Sequence, residues 1–595
     1  MREKWFVATK KADFNQLAQI LGVDPVIVRI MRNRDLIQEE EYQEYLNGTL
    51  EDLNSYEKMK KNRTLMKDFE LAISILQKKI KEGASIRIIT DYDIDGICSG
   101  YILKQTFLDL HAQVDLEIPD RRIDGYGINI RLVKKALQDG IDTIVTCDNG
   151  IAAIEEINYA KEHGMTVIVT DHHDIPYRIQ ENGSKVTLRS KADAILNPKQ
   201  EDCPYPFKNL CGAAVAYKLA EGLYANRYGD ESIVRKYLEF AAIATVGDVM
   251  SLQGENRIFV RFGLKQMEQT KNIGLRSLIQ ANELSDTRLT SFHIGFILGP
   301  CFNASGRLDT AKRAVDLLFE TEEVRAEEMA EELKKLNESR KEMTNQGVID
   351  AVEMIESTSL KEDRVLVVYL PKIHESIAGI IAGRLRERYE KPVFVLTDGK
   401  ESAKGSGRSI EAYHMFEEMT KISDVFIKFG GHPMAAGLSI ETDRISEMRR
   451  RLNENTTLTE QDFIRKIKVD VPMPIDYVTE KLIRELEALE PFGNGNEKPL
   501  FAEKNITLKK INIIGKQKNV VKMLLVNERG YEMEGIFFRG AEEFVGYLKE
   551  KYGKEAAEQI LSGRKDAENM AIAYYPSVNE FRGMRTLQAV VCNYL

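Results

Sequence analysis

From about residue 84 the chain alternates short, β-branched apolar runs with helical patterns, and three of those runs stop at acidic residues. The runs are IRIIT before Asp91, VDLEIP after Gln113, DTIVT before Asp148 and TVIVT before Asp171; between them lie YILKQTFLDLHA, RLVKKALQD and AIEEINYAKEHG. Alternation of this kind predicts a parallel sheet covered by helices. In an open α/β sheet the functional crevice lies beyond the carboxyl ends of the strands. Asp91, Asp93 and Asp95, then Asp148, then Asp171, His172 and His173 are therefore expected to converge there. Asp248, in AAIATVGDVMSL, ends a further apolar run and is expected to join them.

Carboxylates this dense repel one another and need compensating positive charge. A calcium loop of the EF-hand kind does not fit. Counting Asp91 as its first position, the twelfth must be a bidentate Glu and is Ile102. Carboxylates with imidazoles and no thiolate suit Mn²⁺ or Mg²⁺ better than structural zinc. A single Asp at a strand end is ordinarily a helix N-cap or turn former. Four such elements at one end of one sheet turn the reading toward chemistry.

The 595 residues are too many for one core and predict about three to five domains. Residues 1–70 read as a helical segment and 71–318 as the first α/β lobe. Residues 319–358 are dense in Glu, Lys and Arg without proline, and read as one long helix. A second α/β lobe covers 359–455, with RVLVVYL and PVFVLT around the helix IAGIIAGRLRERY. Residues 456–595 are β-rich with one helical insertion near Ala541 to Leu561, a pattern that suits a small barrel such as an OB-fold.

Six scattered cysteines without a C-x-x-C pair argue against a zinc ribbon or a disulfide framework. With no membrane-length apolar run and no signal-peptide core, the expectation is a cytoplasmic protein. The net charge of −9 does not exclude a nucleic-acid partner, because an acidic metal site can lie beside a basic groove.

Taken in order, Asp93-Ile94-Asp95-Gly96, Asp148-Asn149-Gly150, Asp171-His172-His173 and Val246-Gly247-Asp248 resemble the four signature motifs of the DHH phosphoesterases. KGSGRSI (404–410) and KFGGHPMAAG (428–437) resemble the DHHA1 domain that accompanies them, their glycines read as turned, anion-binding backbone. PDRRIDGYG (119–127), NPKQEDCPYPFKNLCGAAVAYKL (197–219), GPCFNASGRLD (299–309) and LEPFGNGNEKPLF (489–501) are similar to the RecJ family of single-strand exonucleases. The likeness runs from about residue 60 to the end.

The resemblance implies a multidomain α/β protein: a parallel-sheet DHH domain and a DHHA1 α/β domain joined by a long helix, plus a C-terminal OB-fold barrel. It implies two metal ions, with Asp93 and Asp95 on different metals and Asp148 bridging them. His172 and Asp248 would complete the second metal's shell, Asp91 would support the first, and His173 would face the scissile phosphate. Arg121, Asn303, Arg307, Ser406, Arg408 and His432 would contact the substrate. The implied activity is metal-dependent 5′→3′ hydrolysis of single-stranded DNA to 5′-mononucleotides, in recombination and repair. A single-strand-binding protein and a RecQ-type helicase are the implied partners, and a monomer the expected state. Lys509, Lys510, Lys516, Lys518, Lys522, Phe537, Phe538 and Arg539 are candidates for gripping the strand.

Ile94 and Gly247 stand where the family more often has Ala. KIHESIAGIIAGRL (372–385) keeps His374 but lacks the Trp before it and the Gly two residues after it. Two other readings stay open: a DHH phosphodiesterase acting on short RNA or signalling dinucleotides, and a non-catalytic scaffold on the same fold.

Overall fold

The computed structural model describes residues 3–121, 124–180, 184–538, 540–581 and 583–595. By internal contacts it divides into two units. One holds residues 54–250 and 259–465; the other holds 3–53, 251–258 and 466–595. The division cuts through the expected N-terminal segment 1–70, and that segment also contains a strand, Glu3–Val7.

The first lobe of the larger unit is built on five parallel strands: β1 (Ser85–Thr90), β2 (Gln113–Glu117), β3 (Thr143–Cys147), β4 (Thr166–Thr170) and β5 (Ala194–Leu196). Their order is β2-β1-β3-β4-β5, so the strand order reverses between β1 and β3. Asp91 and Asp148 follow those two strands, at the switch point where such sheets place their ligands. The central strands are buried on both faces, which is why they are mostly Ile, Val and Thr; the one charge, Arg87, is paired with Asp115 and Asp139. Helices α1 (Ile94–Asp109), α2 (Gly212–Tyr228) and α3 (Leu238–Gly247) pack together beside the sheet and are apolar nearly all round. Helix α4 (Gly299–Leu308) leads on toward α5 (Glu323–Ser357), the long connecting helix that the charge-dense stretch predicts.

Asp248 does not end a strand. It follows the last residue of α3, so the apolar run before it is a buried helix rather than part of the sheet. A short apolar run cannot distinguish the two by itself.

The second lobe is a mixed five-stranded sheet. Its strands are β6 (Leu366–Tyr369), β7 (Val393–Asp398), β8 (Ala403–Arg408), β9 (Lys428–His432) and β10 (Ala435–Ile440), in the order β9-β10-β8-β7-β6. Helix α6 (Ala378–Tyr389) packs on it. The glycine-rich stretches read as turned backbone are instead the strands β8, β9 and β10. A Cβ at Gly407 would lie 2.4 Å from Met415 Sδ and 2.8 Å from the Phe394 ring, so this glycine makes room for packing on the sheet. Strand alternation then turns Ser406 and Arg408 to the opposite face, together.

The smaller unit contains a closed five-stranded barrel. After the short β11 (Val471–Pro472) come β12 (Phe501–Ile514), β13 (Val520–Val526), β14 (Glu532–Phe537), helices α7 (Ala541–Tyr552) and α8 (Lys554–Leu561), then β15 (Ala567–Phe581) and β16 (Met584–Tyr594). The order is β11-β12-β13-β14-β16-β15, and a β12–β15 pairing closes it. Alternate residues of β13 point inward, as its Val-Lys-Met-Leu pattern requires. The helices Phe14–Leu21, Pro25–Asn33 and Glu39–Asn47 share this barrel's core, through Ile27, Ile30, Met31 and Tyr42. A buried pair, Arg34 Nη1 to Asp470 Oδ1 at 3.1 Å, ties them to the barrel's entrance. No described helix is long and apolar enough to cross a membrane.

Candidate metal centre and phosphate pocket

Each acidic side chain is aimed by the backbone around it. Asp93 caps α1, its Oδ1 accepting from the amides of Asp95 (3.0 Å) and Gly96 (3.2 Å). Asp95, buried in the first turn, accepts from the amides of Gly212 and Ala213, both at 2.7 Å. These amides open α2, so the positive end of that helix steadies the carboxylate. Asp148 sits at φ 58°, a left-handed conformation that turns it back over the sheet. A Cβ at Gly212 would lie 2.6 Å from Asp148 Cβ, so only glycine permits this approach.

The groups converge as three overlapping sets: Asp91, Asp93 and Asp148; Asp95, His172 and Asp248; and Asp148, His172 and His173. Within each set the donor atoms lie within 4.8 Å of one another. His172 Nε2 lies 3.1 Å from Asp148 Oδ1, 3.5 Å from Asp95 Oδ2 and 3.6 Å from Asp248 Oδ2. Neither ring nitrogen of His172 has a hydrogen-bond partner, nor does Asp91 Oδ1 or Asp148 Oδ1, although all are buried.

The electrostatics show the same deficit. Burial, reinforced by the neighbouring carboxylates, pushes the pKa of Asp91, Asp93 and Asp148 up and that of Asp248 to about 8. Burial also lowers that of His172, leaving a neutral imidazole. Orphaned lone pairs, a neutral imidazole and uncompensated carboxylates are what a pair of divalent cations satisfies. The residues fit such ions.

His173 is held differently. Its Nδ1–H donates to Asp171 Oδ1 at 2.7 Å, and Asp171 also accepts from the amides of Ile151, His172 and His173. The Tyr126 hydroxyl donates to the Asp148 carbonyl at 2.9 Å and lies 3.0 Å from His173 Nε2.

Beside this centre lies a group of guanidiniums. Arg121 stacks over the Tyr92 ring at 5.0 Å, and Arg307 Nη1 donates to the Ser376 carbonyl at 2.8 Å. The first turn of α6 meets β8, a Cβ at Gly379 lying 3.0 Å from both Arg408 Nη2 and Ser406 Oγ. Burial, with Arg121 close by, lowers the pKa of Arg408 and takes that of Arg307 to about 10. Arg121, Arg307, Ser406 and Arg408 are thus gathered around an anion-attracting site, with a helix N-terminus facing it.

The remaining sequence candidates fall in other settings. Asn303 Oδ1 accepts from the Ile94 amide at 2.9 Å and pins the start of α1. His432 ends β9 and is exposed, acting with Lys199 and His173 on Asp174. His374 caps the turn before α6, its Nδ1 2.7 Å from Ser376 Oγ. In the barrel, Lys522 pairs with Glu534 at 2.7 Å and Phe537 packs on Phe544 and Tyr594. Phe538 is 52% exposed, Lys510, Lys516 and Lys518 are exposed, and Lys509 is half-buried. Arg539 lies outside the described residues.

Several supporting groups escape sequence reasoning. The amides of Gly212 and Ala213 are invisible in a residue list, and Tyr126 lies inside the 119–127 motif with nothing in the sequence to give it a role.

A switch-point cluster of carboxylates and imidazoles, capped by a second α/β lobe, defines a hydrolytic phosphoesterase of the DHH class. Family models match accordingly: the DHH family N-terminal domain over residues 85–245, the DHHA1 domain over 362–457 and the RecJ OB domain over 469–593. The chain is 34% identical over 530 residues to the single-stranded-DNA-specific exonuclease RecJ of Bacillus subtilis (strain 168), covering 88% of this chain and 64% of that protein. It is 30% identical over 545 residues to the protein of that name from Escherichia coli (strain K12), covering 88% of this chain and 89% of the relative. The crystal structure of RecJ in complex with Mn²⁺ from Thermus thermophilus superposes with a TM-score of 0.80 at 24% identity, over 100% of this chain and 80% of that one. The chain belongs to the RecJ family.

Proposed function

We propose that this chain is a metal-dependent 5′→3′ exonuclease that degrades single-stranded DNA to 5′-mononucleotides in recombination and repair. The observation that carries the reading is the joint presence of an orphaned carboxylate–imidazole cluster and an arginine pocket in one unit.

Asp91, Asp93 and Asp148 would hold one Mn²⁺ or Mg²⁺ ion, and Asp95, Asp148, His172 and Asp248 the other. When bound, such a pair supplies a water of lowered pKa and positive charge for the phosphoryl oxygens. The protein's own groups do the rest. The α2 amides and the Asp93 cap fix the carboxylates, so little reorganisation accompanies the reaction. Asp171 orients His173 toward the scissile phosphate, where its imidazolium would balance the charge that develops. Arg121, Arg307, Ser406 and Arg408 would hold the 5′-phosphate, a planar guanidinium making paired bonds to it. A strand entering by its 3′ end lacks that anchor, which gives the polarity.

In this reading residues 71–318 do the chemistry, 359–455 hold the 5′ end and 456–595 grip the strand by stacking and charge. Asn303 serves by fixing α1, and His432 by meeting a phosphate. The protein would work as a monomer in the cytoplasm, with a single-strand-binding protein and a RecQ-type helicase as partners.

The test is a 5′-phosphorylated, 3′-labelled single strand incubated with Mn²⁺, Mg²⁺ or chelator, beside its blunt duplex and the Asp148→Ala variant. A descending ladder only with metal, wild-type protein and single strand supports the reading. A single strand left intact under all conditions overturns it.

A further inference from the structure

Two further arginines stand on the helices around the arginine pocket: Arg340 on α5, whose neighbour Asn337 reaches Cys301 Sγ of α4 at 3.5 Å, and Arg384 on α6, whose first turn meets Ser406 and Arg408. Helix α5 packs against both α4, which carries Arg307, and α6. Arg340 is half-buried, and its Nε and Nη2 donate to Asn337 Oδ1 at 3.1 and 2.7 Å, on its own helix. Arg384 is exposed. Among the described residues it makes no hydrogen bond or ion pair, and no carboxylate pairs with Arg121, Arg307, Arg340, Arg384 or Arg408. The charges feel one another: after burial, Arg121 and Arg340 lower the pKa of Arg307, and Arg384 lowers that of Arg340. Guanidiniums gathered without acidic partners repel, and the arrangement is stabilised when an anion lies among them.

A 5′-phosphate carries about two negative charges. Arg121, Arg307 and Arg408 already exceed that. We propose that Arg340 and Arg384 form an outer phosphate subsite, so that the enzyme accepts strands ending in a 5′-di- or triphosphate. The inference rests on the exonuclease reading above. The reaction is otherwise the same. Water attacks the phosphorus that links the first and second nucleotides, and the bond from phosphorus to the 3′-oxygen breaks. The 3′-oxygen leaves with a proton, and the phosphate stays on the second nucleotide. A triphosphorylated strand therefore releases its first residue as a nucleoside 5′-triphosphate.

The experiment compares two 3′-labelled single strands of one sequence, 5′-monophosphorylated and 5′-triphosphorylated, with the first product identified by chromatography. Wild-type protein is expected to degrade both and to release a nucleoside triphosphate from the second. Arg340→Gln and Arg384→Gln are expected to lower the triphosphate-to-monophosphate ratio of kcat/KM by about tenfold, one charge-assisted contact each, with partial recovery in Arg340→Lys. Wild-type protein that degrades the monophosphorylated strand but stalls on the other overturns the inference and leaves the exonuclease reading standing. So does an unchanged ratio in both variants. Failure on both strands overturns the exonuclease reading, and this inference with it.

Discussion

His173 Nδ1 lies 2.7 Å from Asp171 Oδ1, and the carboxylate that holds it is itself fixed by three backbone amides. Burial alone would lower the imidazole's pKa, but the Asp171 bond and charge overcome it and push it up to about 9. Asp171 thus fixes both the orientation and the charge of its neighbour. Asp171→Asn is expected to reduce kcat by about 10–100-fold, the usual effect of losing the group that orients such a ring. The KM for single strands should change far less, and steady-state kinetics separates the two.

Asp148 presents the opposite case, a buried carboxylate whose Oδ1 has no partner. Asp148→Asn should abolish strand hydrolysis. It should also raise the stability of the metal-free protein, by about 1–3 kcal/mol, because the desolvated charge is removed. Thermal melts with chelator and with Mn²⁺ check this: the wild type gains from the ion and the variant gains less.

Gly212 gives a steric test of the same site. An added methyl would meet Asp148 Cβ at 2.6 Å, and the amide that holds Asp95 would shift with it. Gly212→Ala should cost about 100-fold in kcat/KM, the scale expected for a displacement near 1 Å. Its melting curve should stay cooperative, with weaker Mn²⁺ binding by calorimetry.

Arg408 lies against Ser406 and the first turn of α6. Arg408→Lys keeps the charge but loses the planar fork, and should weaken the preference for a 5′-phosphorylated over a 5′-hydroxyl strand by about tenfold. The ratio of kcat/KM on the two strands is the readout.

Glu239 is buried beside Thr270, and only one of its oxygens has a partner. Burial raises its pKa from 4.5 to about 7. Below pH 4.5 it is protonated in both folded and unfolded chains and costs nothing. As pH rises toward 7 the unfolded chain releases its proton first, so stability falls across that window and stays lower above it. Glu239→Gln keeps an acceptor for Thr270 and should stabilise the protein at pH 8 by up to about 3 kcal/mol, with no gain at pH 4. Denaturant titrations at the two pH values measure it.

The carboxylate–imidazole edge of the sheet was legible because its residues follow β-branched runs whose period and composition announce parallel strands. The long helix was legible from dense Glu, Lys and Arg without proline, and the barrel from a run of short strands broken by one helical insertion. Asp248 falls among the neighbours expected of it, while the apolar run before it left its element open, since Ala, Ile and Val serve a buried helix as well as a strand. The glycines of 404–437 suggested turns; they lie in strands, and Gly405, Gly407 and Gly431 pack tightly, a tertiary fact that no local pattern carries. The amides of Gly212 and Ala213 were beyond reach altogether, because a backbone donor has no letter of its own.

The sharing of one core by residues 3–53 and the barrel has a consequence for synthesis. The Asp24 amide bonds to Glu485, 461 residues further along the chain. At ribosomal speeds the helices around Ile27 and Tyr42 emerge roughly half a minute to a minute and a half before the strands they pack on. During that interval the α/β lobes can fold, while the first apolar helices wait uncovered. Residues 3–53 are thus among the last parts of the two units to become native, and holding them soluble in the meantime falls to whatever meets them at the tunnel exit.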